Sequence, residues 1–172
     1  MTNCNFINNN ATENAGAVFF YSGGEVIYCN FINNNATVNH GAVCLMGIGN
    51  VKYCNFTNNK AAGRFSMGGA ILIDSGSVEN CNFTDNSALY GGAVLMEIGN
   101  VTNCNFINNN ATDAGAVSLS KGNILYCNFI GNTASNNGGA VHIIWPSNVT
   151  NCTFADNSAL YGGAVLMEIG NV

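Results

Sequence analysis

Residues 104–109 read Cys-Asn-Phe-Ile-Asn-Asn, and the pattern Cys-x-Phe-x-x-Asn that they illustrate occurs seven times in the 172-residue chain. The seven cysteines are separated by steps of 25, 25, 27, 23, 23 and 25 residues. Each copy is followed by Gly-Ala-Val or Gly-Ala-Ile, and most copies then reach a Gly-Asn-Val turn or a similar one. A recurring period of this length indicates a repeat architecture, in which each unit packs only on its neighbours.

Apolar residues alternate with period two after each Gly-Ala, which predicts strands rather than helices. Val94 and Met96 share one face of such a strand, and Cys104 and Phe106 share a face in the strand that opens the next repeat. The unit therefore reads as strand, Asn-rich turn, strand, Gly/Asn turn. The opposite face varies freely, as a solvent-facing position does, and carries Cys44, Leu72, Leu95, Ser118 or His142.

One coil of short strands cannot bury its apolar face, but coils stacked about 4.8 Å apart enclose a continuous core. The sequence thus predicts an all-β protein, a right-handed parallel β-helix of about seven coils of 23–28 residues, with 1–172 as a single domain. Stacking also places like residues over like. The predicted interior ladder consists of Cys4, Phe6, Cys29, Phe31, Cys54, Phe56, Cys81, Phe83, Cys104, Phe106, Cys127, Phe129, Cys152 and Phe154.

Asparagine occupies 33 positions and has a structural explanation in such a fold. It tolerates left-handed backbone at turns, and its amide can bond to the asparagine of the next coil. Asn-rich, disordered low complexity is the competing interpretation. The regular spacing of Phe, Val and Cys argues against it, because disordered tracts keep no coil period.

Charge and hydropathy exclude several kinds of partner. The basic residues are few and scattered, so nucleic acid is not expected to bind. No stretch of about 18 apolar residues occurs, so we expect no membrane insertion by this segment. The first repeat begins in its middle at Thr2 and the last stops at 170–172, which suggests a piece of a longer protein. The four basic residues are Lys52, Lys60, Arg64 and Lys121.

The eight cysteines leave three readings open: buried thiols, disulfides or metal ligands. Seven of them share one coil position, where side-by-side side chains suit a disulfide torsion poorly, which favours thiols packed in the core. No Cys-x-x-Cys or Cys/His cluster points to a metal, and no cofactor is expected. Cys44 is predicted on the outward face and is therefore the candidate reactive thiol.

No catalytic constellation is apparent, so we expect a protein that is not an enzyme. The alternative is a carbohydrate-active β-helix module, a polysaccharide lyase or glycosidase, which rests on fold analogy alone. Its acids would have to cluster, but Asp85 and Asp156 are three coils apart, about 14 Å, too far for paired carboxylates. His40 and His142 stand alone and are predicted at the surface.

Two outward features suggest contacts. Trp145-Pro146 is a bulky insertion. The other feature is an apolar stripe on the strand after Gly-Ala. Such a stripe can be an interface for a partner, or it can be covered by other segments of a longer protein, and the sequence favours both interpretations equally. The stripe consists of Phe19, Leu72, Leu95 and Leu166.

Phe83-Thr84-Asp85-Asn86 followed by Gly91-Gly92-Ala93-Val94 resembles the repeats of chlamydial polymorphic outer membrane proteins. The chain is also similar to the Asn-rich adhesin-like proteins of methanogenic archaea. The resemblance covers the whole chain and implies a right-handed β-helix displayed at the cell surface. It further implies a role in adhesion or as a stalk, with a glycan or protein of a host or cell surface as partner, and it supplies no catalytic residues.

Overall fold

The computed structural model describes residues 1–169, and no helix occurs among them. These residues form strands β1 to β21, numbered in chain order, and the paired strands run parallel. We number the coils 1 to 7 from the cysteine that opens each: 4–28, 29–53, 54–80, 81–103, 104–126, 127–151 and 152–169. The Gly-Asn-Val turn expected at 170–172 lies outside the described residues.

The first sheet, the Phe sheet, takes one three-residue strand from each coil. Its strands pair in the order in which the coils follow one another, and phenylalanine pairs with phenylalanine, as Phe83 does with Phe106. The strands are β1 (Asn5–Ile7), β5 (Asn30–Ile32), β8 (Asn55–Thr57), β11 (Asn82–Thr84), β13 (Asn105–Ile107), β16 (Asn128–Ile130) and β20 (Thr153–Ala155).

The second sheet, the long sheet, contains the strands that follow Gly-Ala. In coils 2 to 5 each strand runs on for nine or ten residues, whereas coils 1 and 6 break it into two pieces. The strands are β3 (Val18–Phe20), β4 (Gly24–Ile27), β7 (Val43–Lys52), β10 (Ile71–Glu79), β12 (Val94–Thr102), β15 (Val117–Leu125), β18 (Val141–Ile143), β19 (Asn148–Thr150) and β21 (Val165–Met167).

A third face is made of short strands that follow the Asn-rich turn. Single bridges at Ser87 and Ser158 link coils 4 and 7 to their neighbours on this face. The strands are β2 (Asn10–Ala11), β6 (Asn35–Ala36), β9 (Lys60–Ala61), β14 (Asn110–Asp113) and β17 (Thr133–Asn137). With three parallel faces and about seven stacked turns, the predicted all-β solenoid is confirmed. No helix in the described part is long and apolar enough to cross a bilayer.

Left-handed backbone turns the chain at two corners of each coil, on either side of the Phe strand. Asn and Asp suit these corners because their short polar side chains tolerate positive φ. Three tyrosines adopt left-handed backbone at the same corner as Asn80 and Asn103. The sequence does not predict tyrosine in this conformation. The first corner is Asn3, Tyr28, Tyr53, Asn80, Asn103, Tyr126 and Asn151, and the second is Asn8, Asn33, Asn58, Asp85, Asn108, Gly131 and Asp156.

Glycines stack where one coil's backbone touches the next. A Cβ on Gly92 would lie 2.1 Å from the carbonyl oxygen of Gly115. Gly99, whose φ is 154°, bends the long strand, and its Cβ would meet the carbonyl oxygen of Gly76 at 2.1 Å. Any side chain at either position would push the coils apart, so these glycines preserve the coil spacing.

Candidate functional site

The predicted phenylalanine ladder lies inside the column. Neighbouring ring centroids are 4.8 to 5.0 Å apart, and the rings are within 7° of parallel. That separation equals the spacing of paired strands, so the rings stack because the coils do. Phe6 and Phe154, in the first and last coils, are half-buried. The five between them are fully buried: Phe31, Phe56, Phe83, Phe106 and Phe129.

The ladder cysteines are free thiols packed beside the phenylalanines. In the first six coils the main-chain N–H of the ladder cysteine donates to Sγ of the next coil's cysteine, at 3.3 to 3.5 Å. Burial raises the pKa of Cys104 well above its ordinary value. A neutral thiol in an apolar setting behaves as a small hydrophobic side chain, so these residues serve packing. Cys4 and Cys152 are half-buried, and Cys29, Cys54, Cys81, Cys104 and Cys127 are buried.

A buried asparagine ladder runs alongside, and sequence reasoning placed asparagine only at turns. Asn86 Nδ2 donates to the main-chain oxygen of Phe56 and to Oδ1 of Asn109, both at 3.0 Å. Oδ1 of Asn109 also accepts the main-chain N–H of Asn86, at 3.0 Å. The signal was available, because Asn follows Phe by three positions in every copy. The fully buried members are Asn34, Asn59, Asn86, Asn109 and Asn132.

The acidic side chains are spread along the column, and two of them, Asp74 and Asp113, bond to neighbouring coils. Asp74 Oδ2 accepts the main-chain N–H of Gly47 at 2.8 Å, and Asp113 Oδ1 accepts Nδ2 of Asn136 at 3.0 Å. Asp85 is exposed at a left-handed corner. Within residues 1–169, no group of three or more His, Cys, Asp or Glu side chains could hold a metal ion.

Two surface predictions were wrong. Cys44 is fully buried, and burial, followed by the charge of Asp74, raises the pKa of its thiol to about 12. It is therefore neutral and shielded, not a reactive thiolate. His40 is only 5% exposed, and burial lowers its pKa. Its Nδ1 has no hydrogen-bond partner within residues 1–169. His142 is half-buried, and its Nε2 lies 3.0 Å from Oε1 of Glu168.

The apolar stripe is covered by the chain itself. Leu72 and Leu95 are 5% and 8% exposed and form a second apolar cluster with Ala15 and Cys44. Phe19, Met46 and Met67 pack against this cluster, while Leu166 in the last coil is half-buried. Met67 comes from coil 3, whose spacing of 27 residues makes it the longest. Neither a partner nor another part of a longer protein is needed to cover the buried part of the stripe.

Trp145 borders an exposed depression on the long sheet. Ile143 and Asn148 both pair with residues of coil 5, and coil 6 has one more residue between them than coil 5 has between their partners. The strand therefore breaks at this place, and Trp145 projects from the surface with 53% of its area exposed. The depression measures about 380 Å³ and is lined by Glu97, Ile98, Ser120, Lys121 and Trp145. An indole face beside a carboxylate, a hydroxyl and an ammonium group offers both stacking and hydrogen bonding.

One comparison with known proteins gives a match. Residues 126–143 match the family model described as the Chlamydia polymorphic membrane protein repeat. This stretch contains one Cys-x-Phe-x-x-Asn and one Gly-Gly-Ala-Val, the two features that recur along the chain. No curated protein and no solved structure matches the chain. The chain is thus similar to these membrane-protein repeats over 18 residues of coils 5 and 6.

Proposed function

We propose that this chain is a non-catalytic repeat module of a protein displayed at the cell surface, serving as a stalk or as an adhesive column. The match of residues 126–143 to a polymorphic membrane protein repeat supports the surface location. The observation that carries the proposal is that the repeated residues and the variable residues serve different purposes. The repeated Cys, Phe and Asn are used by packing and by hydrogen-bonded ladders, whereas exposed side chains of the long sheet differ from coil to coil, as the paired Ile98 and Lys121 do.

The distribution of acids favours this function over a carbohydrate-active enzyme. A glycosidase needs two carboxyl groups about 5 to 9.5 Å apart, one on each side of the scissile bond. Asp85 and Asp156 occupy equivalent corners three coils apart, and Asp74 and Asp113 bind main-chain or amide groups of neighbouring coils. Structural hydrogen bonds account for two of these carboxylates, and no observation favours the enzyme.

A glycan is the partner that the Trp145 depression fits best. Sugar rings carry an apolar face that stacks on indole and hydroxyls that bond to carboxylate, hydroxyl and ammonium groups. Ser120 Oγ donates to Oε2 of Glu97 at 2.9 Å, which fixes the carboxylate at the rim of the depression.

The test is a binding screen of the 1–172 polypeptide on immobilised glycans and on extracellular host proteins, with released sugar products assayed in the same wells. Saturable binding without turnover is the expected result. Trp145→Ala should abolish glycan binding, whereas Tyr126→Ala, at a corner where the tyrosine is 56% exposed, should leave it unchanged. Product release would contradict the non-catalytic proposal, and equal binding by both variants would contradict the Trp145 surface.

A further inference from the structure

Coils 3 and 4 separate on the third face of the column, and a groove opens between them. Coil 3 leaves the stack after β9 and makes a turn, in which the main-chain N–H of Ser66 donates to the oxygen of Gly63 at 3.1 Å. The groove measures about 310 Å³. Its lining includes Lys60, Ala61, Ser66, Ser87, Leu89 and Asn110. A cavity of this size is at the lower end of the range of ligand pockets, roughly 300–1,000 Å³.

The groove contains a main-chain oxygen that has no donor. Where coil 3 follows coil 2, the N–H of Ala62 donates to the oxygen of Ala36 at 2.9 Å. The equivalent N–H of coil 4, that of Leu89, donates instead to Oγ of Ser66 at 2.9 Å. Consequently no donor to the oxygen of Ala61 is found within residues 1–169, although Ala61 is only 3% exposed. A buried acceptor of this kind needs a hydrogen bond from water or from a ligand.

A row of polar side chains along the third face is interrupted at the groove. Lys60, Ser87 and Asn110 stack in consecutive coils through single bridges. Elsewhere in this row side chains bond to one another, as Asn35 Nδ2 does to Oδ1 of Asn10 at 2.8 Å. In the part of the chain that the structure describes, the side chains of Lys60 and Ser87 make no such bond. Their ammonium and hydroxyl groups are therefore available to a ligand.

The turn of coil 3 places a second cation and an aromatic ring at the rim of the groove. Gly63 and Ser66, the ends of this turn, line the groove, and Arg64 and Phe65 form its apex. Both apex residues are exposed, and 68% of the area of Phe65 is accessible. Among the described residues, neither Lys60 nor Arg64 forms an ion pair. Two of the four cations of a chain with net charge −5 thus lie at one groove without a carboxylate partner.

We propose that this groove binds an acidic sugar, one that carries a carboxylate beside its hydroxyls as a uronic acid does. Lys60 and Arg64 bind the carboxylate, and a ring hydroxyl donates to the oxygen of Ala61. The apolar face of the sugar ring packs on Phe65. A neutral sugar would leave both cations without a partner, and sulfate would offer the Ala61 oxygen no donor. The groove is separate from the Trp145 depression, which lies on the long sheet.

The experiment titrates the 1–172 polypeptide with trigalacturonate and with its methyl ester, which keeps the rings and removes the charge. Calorimetry should show that the acid binds about 5-fold more tightly than the ester or better, since the ester loses both ionic contacts. Lys60→Gln and Arg64→Gln should each weaken binding of the acid about 2- to 5-fold, the range of exposed ion pairs. The matched control is Lys52→Gln, which removes one positive charge on the long sheet and should change nothing.

Two further variants test the shape of the groove rather than its charge. Ser87→Asn introduces the residue that coils 1, 2 and 5 carry at this position, so the fold tolerates it, and its longer side chain should fill the groove and weaken binding. Phe65→Ala should weaken the binding of acid and ester by the same factor, because packing against the ring does not depend on charge. Tyr126→Ala, which removes an exposed ring elsewhere, is its control.

Several results would overturn the proposal. Equal affinity for acid and ester, or no binding of the acid at about 10 mM, would mean that the groove does not recognise a carboxylate sugar. Equal losses in Lys52→Gln and Lys60→Gln would indicate general attraction of anions. Displacement of the sugar by an equal concentration of inorganic sulfate would indicate a simple anion site. Loss of binding in Trp145→Ala but not in Lys60→Gln would assign the sugar to the Trp145 depression and leave the proposed function intact.

Discussion

Coils 4 and 7 carry nearly the same sequence in two different settings. Residues 81–98 lie between two coils, and residues 152–169 have a coil on one side only within the described chain. The inward residues of coil 4 are fully buried, whereas their counterparts in coil 7 are half-exposed. Burial in this protein is therefore set by stacking and not by the sequence of a coil alone. The pairs are Cys81 and Cys152, Phe83 and Phe154, Asn86 and Asn157, Val94 and Val165, and Met96 and Met167.

The largest effect is expected from the phenylalanines. Phe83→Ala should lower the free energy of unfolding by about 3–5 kcal/mol, because it opens a cavity between two rings. Phe154→Ala should cost only about 1–2 kcal/mol, since part of that ring is already in water. Urea unfolding of the two variants measures both losses. Equal losses would contradict the dependence of burial on stacking.

The asparagine ladder should show the next largest difference. Asn86→Ala removes the acceptor of the buried N–H of Asn59 and should cost about 2–3 kcal/mol. Asn157→Ala should cost about 1 kcal/mol, because the polar groups that lose their hydrogen bonds to Asn157 can bond to water instead. The control is Asn82→Ala, on the exposed face, which should change stability by less than about 0.5 kcal/mol. An Asn86→Ala loss as small as the control's would refute the ladder's role.

His40 makes coil 2 sensitive to pH. Coils 4 and 7 carry a glycine at the same coil position, Gly91 and Gly162. Burial lowers the pKa of His40, so the folded protein binds its proton less readily than the unfolded chain does. Stability should therefore be full above the unfolded pKa of about 6.5 and fall as pH decreases through the folded pKa. His40→Gln should weaken that dependence between pH 7 and pH 5 in thermal unfolding. An unchanged pH profile would contradict the burial of this ring.

The smallest effect concerns the two positions at which coils 4 and 7 differ. Exposed amides form a ladder along the Phe sheet, where Asn105 Nδ2 donates to Asn82 Oδ1 at 2.9 Å. Thr153 interrupts this ladder after Asn128. Thr153→Asn should extend it and stabilise the protein by a few tenths, at most about 0.5 kcal/mol, because the added bond is in water. A larger gain, measured by thermal unfolding, would contradict the low value expected of an amide hydrogen bond exposed to water.

The coil architecture could be predicted from the sequence because its signals are local and repeated. The period of Cys-x-Phe fixes which residues meet, and the left-handed corners explain Asn8, Asn33 and Asn58. Single features were harder to predict. Cys44 and His40 look like surface residues because the neighbouring coils vary there, and nothing in the period shows that Met67 folds back over that face.

The candidate binding surface could be predicted only in part. The sequence singles out Trp145-Pro146 as an insertion, and the structure places the indole in the open. The neighbours of Trp145 come from coils 4 and 5, so their identity depends on the register of three coils at a position where one extra residue shifts it. The repeat pattern of a single coil does not predict that shift in register.

Amide hydrogen exchange of the 1–172 polypeptide tests the account most directly. The main-chain N–H of Asn86 donates to Oδ1 of Asn109 in the buried ladder, whereas the equivalent N–H of Asn157 has no such acceptor within residues 1–169. We predict that Asn86 exchanges only when the column unfolds and that Asn157 exchanges orders of magnitude faster. Equal exchange at the two asparagines would contradict the claim that stacking sets the burial of equivalent residues in coils 4 and 7.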